Sequence, residues 1–93
     1  MSCNELSLGQ IVYSKSGRDK GNAFIVTEFD NNYVWLADGK IRKLDKSKKK
    51  KKIHIQITKT INADIRLKLE NKLNILDADL RKALAEFKGR NDC

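Results

Sequence analysis

Residues 9–26 read GQIVYSKSGRDKGNAFIV, two apolar stretches separated by a polar segment with two glycines and four charged side chains. The first stretch, residues 9–14 (GQIVYS), and the second, residues 23–29 (AFIVTEF), are short and rich in β-branched and aromatic residues, which predicts two strands. Gly17 and Gly21 let the chain between them turn tightly, through backbone angles that other residues resist. Downstream, Asp30-Asn31-Asn32 is a turn cluster, because these side chains bond their own backbone. Residues 33–37 (YVWLA) are a third strand, and Asp38-Gly39 is a hairpin signal feeding residues 40–44 as a fourth. Past a lysine run, Ile53, Ile55 and Ile57 alternate with His54, Gln56 and Thr58, a fifth strand with one buried face. Five short strands joined by tight turns predict a small, partly closed barrel, since closure removes exposed strand edges.

From Asn62 the period changes. Ile65, Leu69, Leu73, Leu76, Leu80, Leu84 and Phe87 recur at steps of three and four, the mark of an apolar helical face. Asn62 caps the start and Gly89 marks the stop. Asn74 and Asp77 interrupt the pattern, which favours two helices near 63–73 and 78–88 packed as a hairpin over one long helix suited to self-association. The expected organisation is an N-terminal flexible segment (1–7), the barrel (8–59), the helical segment (60–89) and a tail (90–93). In class the chain is mainly β with an α tail.

Ninety-three residues suit one small domain with a thin core and no deep cleft. No apolar run is long enough for a transmembrane helix, and the first residues lack a secretory pattern, so a cytoplasmic protein is expected. The net charge of +8 is concentrated in residues 31–60, which hold ten basic and two acidic side chains. A focused positive patch calls for a polyanion, with nucleic acid first among the candidates. Cys3 and Cys93, at the two ends, read as free thiols. Together with the lone His54 they make neither a zinc site nor a catalytic constellation. The chain is expected to be no enzyme and to need no cofactor or metal.

Lys48, Lys49, Lys50, Lys51 and Lys52 are consecutive, with Lys46, Lys43 and Arg42 upstream. Mutual repulsion predicts an exposed, mobile loop between strands four and five, and the charge density favours phosphate contact over a merely solvated loop. A nuclear-import signal or an anionic membrane also reads such runs, although no amphipathic anchor adjoins this one. Among the aromatics, Trp35, Phe24 and Phe29 are expected inside, while Tyr13 and Tyr33, near strand ends, are placed to stack on bases. So few exposed rings point to structured or duplex RNA held through its backbone.

Residues 9–26, with Gly17-Arg18-Asp19-Lys20-Gly21 as the loop, resemble the KOW motif, in which a glycine-basic-Asp-Lys-Gly loop joins two strands. The continuation through Val34, Leu36, Asp38-Gly39 and Arg42-Lys43 is similar to bacterial KOW proteins related to the eukaryotic-type large-subunit ribosomal protein fourteen. Ala23 stands where many KOW motifs have a further glycine. The resemblance implies an SH3-like barrel that binds RNA, typically ribosomal. The expected RNA-binding residues are Lys15, Arg18, Lys20, Gly21 and Asn22 of the loop, Lys40, Arg42, Lys43 and Lys46, and the run Lys48, Lys49, Lys50, Lys51 and Lys52. Backbone N–H groups of the glycine loop are expected to donate to phosphate, while Asp19 holds the loop's shape through its own backbone bonds. A monomer is expected, with ribosomal or transcription proteins as further partners. The alternative is an SH3-like protein-interaction module.

Overall fold

The computed structural model describes residues 6–91. Both cysteines lie outside the described residues, as does most of the N-terminal segment expected to be flexible. The chain runs β1 (Gln10–Ser14), β2 (Ala23–Phe29), β3 (Tyr33–Ala37), β4 (Lys48–Lys51), β5 (Ile55–Ile61), α1 (Ala63–Glu70) and α2 (Asp77–Asn91). The five strands form one antiparallel sheet in the order β4-β3-β2-β1-β5. It is an open sheet with two edges, β4 and β5. No pairing between them closes it among the described residues.

Both faces of the central strands are buried, as their unbroken apolar runs imply. Ile11, Ala23, Ile25 and Ala37 face the helices, where Ile65, Leu80, Ala83, Leu84 and Phe87 cover them. Val12, Phe24, Val26, Val34, Leu36 and Ile55 form a second cluster on the opposite face, with Leu6 and Ile57 packed against it. Register shifts at Gln10/Val12 and Val26/Glu28 interrupt the ladders, and such bulges increase local twist. The first bulge is sealed by side chains. Gln10 Nε2 donates to the Thr58 carbonyl at 2.8 Å, and Thr58 Oγ1 donates to the Ile11 carbonyl at 2.6 Å.

Local chemistry sets the turns and helix ends. Asp30 Oδ1 accepts from the N–H groups of Asn32 (2.9 Å) and Tyr33 (2.7 Å), which closes the β2–β3 hairpin. Asn62 Oδ1 accepts from the Ile65 N–H at 3.0 Å and caps α1. The end of α1 falls earlier than expected: Lys72 takes a left-handed φ of 55°, and the Leu73 N–H donates back to the Lys68 carbonyl at 2.8 Å. Leu73 and Leu76 therefore leave the helical stripe and are exposed. Gly89 does not stop α2. It lies exposed in the last turn, where its helix penalty of about 1 kcal/mol does not prevail against the anchoring of buried Phe87.

Two strand expectations are corrected. Residues 40–44 form no strand, because side chains take their donors, two from the adjoining turn and one from the start of α2. Asp38 Oδ1 accepts from the N–H groups of Lys40 (2.9 Å) and Arg42 (2.8 Å), and Asp77 Oδ1 accepts from that of Leu44 (2.8 Å). The fourth strand is the lysine run itself, with Lys48, Lys49, Lys50 and Lys51 opposite Leu36, Trp35, Val34 and Tyr33. Repulsion does not force a loop there, because a strand throws successive side chains to opposite faces, leaving same-face neighbours about 6.6 Å apart. The fifth strand begins at Ile55 rather than Ile53, since Lys52–His54 is a 3-10 turn that leaves Ile53 exposed.

Candidate nucleic-acid interface

The glycine-hinged segment between β1 and β2 folds on its own backbone. The N–H groups of Lys20, Gly21 and Asn22 donate to the carbonyls of Gly17 (3.2 Å), Ser14 (2.8 Å) and Asp19 (3.0 Å). Those donors are therefore not turned toward a ligand, contrary to expectation. The side chains of Lys15, Arg18 and Lys20 are exposed, with Asn22 beside them. Gly21, at a φ of +87°, has open space where a side chain would be.

Asp19 also differs from expectation. Its carboxylate is buried and pairs with the Arg42 guanidinium at 3.1 Å. The loop's one acidic side chain is thus neutralised and drawn away from the surface. The same pair ties the segment after Asp38 to the glycine loop and turns Arg42 inward, while Lys40, Lys43 and Lys46 remain exposed.

β4 approaches the same loop from the other side. Lys50 Nζ donates to the Ser16 carbonyl at 3.0 Å. This bond sets β4 beside the glycine loop, and Lys50 spends its charge in making it. The strand's alternation divides the other lysines. Lys48 lies on the Leu36 side, and Lys49 and Lys51 lie with Trp35 and Tyr33. Lys49 Nζ stands 4.4 Å from the Tyr33 ring centroid and 5.5 Å from that of Trp35, while Lys52 Nζ stands 5.5 Å from that of Phe29. Nearby Asp30 is held below the usual carboxylate range, first by the N–H groups of Tyr33 and Asn32 and then by the Lys49 and Lys52 charges.

The aromatics distribute differently from the sequence expectation. Phe24 is buried, but Phe29 is exposed and Trp35 only half-buried. Tyr13, expected to stack on bases, packs against Phe87 with ring centroids 5.9 Å apart. Sequence reasoning also missed three cations. Arg81 and Lys88 of α2 line a cavity of about 370 Å³ with Asn22 and Lys40. Lys59 of β5 borders a groove of about 730 Å³ together with Lys15 and Lys52. The spacing of residues 81, 84 and 88 along one helix face was a usable signal for the first two. Lys59 carried none, because its neighbours in space come from distant segments.

Among the described residues, no group of three or more His, Cys, Asp or Glu side chains is placed to hold a metal ion. No described helix is long and apolar enough to cross a membrane. The chain matches no protein-family model and no curated protein.

Proposed function

We propose that this is a non-enzymatic RNA-binding protein that grips the phosphate backbone with the glycine loop and the lysine strand. The observation that carries the proposal is the Lys50–Ser16 hydrogen bond, which brings β4 beside the glycine loop although the two are more than thirty residues apart in sequence. Lysines are point charges, so the grip confers affinity without base discrimination. The meander order and the burial of both sheet faces support an SH3-like, partly closed barrel as the finer description of the fold. The KOW resemblance of residues 9–26 adds a ribosomal or ribosome-associated role in the cytoplasm, acting as a monomer.

Replacing Lys48, Lys49 and Lys51 with glutamine leaves the Lys50 tie intact. Affinity for a ribosomal RNA fragment should fall whatever the fragment's sequence. The slope of log affinity against log salt should flatten by about 0.7–0.9 for each phosphate no longer neutralised. Unchanged affinity and slope in a filter-binding titration would remove β4 from the site. A second reading, a protein-interaction module, is favoured by the exposed Leu67, Leu73 and Leu76 of the helical segment. A partner retained after nuclease treatment and high salt would select it.

A further inference from the structure

We infer that the groove between the Lys52–His54 turn and β5 receives an unpaired nucleobase, so that the bound RNA is single-stranded at that point. The inference rests on the RNA-binding reading and adds which part of the RNA is held. The groove measures about 730 Å³, within the roughly 300–1,000 Å³ of small-molecule sites. Its apolar lining comes from Leu6, Ile53, Ile55 and Ile57, and its cationic rim from Lys15, Lys52 and Lys59. No carboxylate lines it among the described residues.

The composition separates a base from a bare phosphate. A phosphate would satisfy the three lysines and leave Ile53 wet. A planar base flanked by two phosphates covers both, and duplex bases cannot do this because they stay stacked. Ile53 is 73% exposed, apolar surface held out on a turn at the groove, while Ile55 is buried and Ile57 half-buried beneath it. Asn31 and Gln56 add amides that offer donors and acceptors to a base edge. Gln56 Nε2 bonds the Ile57 carbonyl at 3.3 Å, so its oxygen remains as an acceptor. The competing occupant is an acidic peptide laid along the free edge of β5. The base is favoured because the rim continues on both sides. Lys15 leads directly into the glycine loop and Lys52 directly follows β4, a positive track suited to a run of phosphates.

The test compares a blunt RNA duplex with the same duplex carrying one bulged 2-aminopurine, using the wild-type protein and Ile53→Ala and Lys59→Gln variants. Exposure of both side chains keeps the fold intact, which circular dichroism checks. The bulged RNA should bind more tightly, 2-aminopurine emission should rise as the base unstacks, and the methyl resonances of Ile53, Ile55 and Ile57 should shift with bulged RNA alone. Ile53→Ala should weaken bulged RNA by about tenfold and leave blunt duplex affinity unchanged. Lys59→Gln should weaken bulged RNA more than blunt duplex. Equal affinity for the two RNAs, or an equal loss for both on Ile53→Ala, would overturn the inference while leaving the backbone grip standing. Polyglutamate that shifts the same methyls and displaces the bulged RNA with unchanged 2-aminopurine emission would assign the groove to acidic peptides. Absence of binding to either RNA at low salt would sink both proposals.

Discussion

Gly39 shows how much one missing side chain can decide. Its φ is +75°, and a Cβ there would overlap the Asp77 carbonyl oxygen at the start of α2. The turn and the helix thus meet backbone to backbone, and side chains tie them further: Arg81 Nη1 donates to the Gly39 carbonyl at 2.6 Å, and Asp77 Oδ1 accepts from the Leu44 N–H. Gly21 also has a positive φ but open space around it. Gly39→Ala should therefore cost more than Gly21→Ala, which bears only the conformational penalty of about 1–2 kcal/mol. Urea denaturation of the two variants checks the order, and equal losses would contradict the close approach at Gly39. Asp38-Gly39 was legible as a turn because its signal is local. That the turn seats a helix was not, because Asp77 lies far along the chain.

β4 is the element where reading and structure part most. Five lysines in a row carry no strand signal, yet the β3 edge offers unpaired backbone groups, and the Lys49 ammonium lies over Tyr33 and Trp35. An edge strand dressed in lysine also resists pairing with a second sheet. Replacing Lys49 and Lys51 with threonine should leave β4 folded and raise its strand propensity. The expected consequence is self-association, seen as rising light scattering at low salt and absent from the wild-type protein. A variant that stays monomeric would assign the lysines to ligand contact alone. By contrast, β2 and β3 were legible to their exact ends, because β-branched runs bounded by Asp and Asn turns need no distant partner to be recognised.

Across the whole molecule, the sheet carries a buried cluster on each side, and the helices cover one of them. Leu80 is fully buried on the helix side. Leu80→Ala should cost about 2–5 kcal/mol, a large share of what so small a core supplies. Trp35, on β3 and away from that contact, should report the same lowered urea midpoint in a single transition. An unchanged Trp35 midpoint would mean that the helices fold apart from the sheet.

The amino-acid sequence by itself determined β1, β2, β3 and most of β5, the two-helix tail, the Asn62 cap and the concentration of charge in the middle third. Each of these follows from period, capping chemistry or composition over a few neighbouring residues. Only the tertiary structure decided that the lysine run is a strand, that its side chains divide between two faces, and that Asp19 meets Arg42 rather than its own loop. Strand register and buried ion pairs depend on which distant backbone donors remain unspent once the local turns have formed, and that is settled when the segments pack.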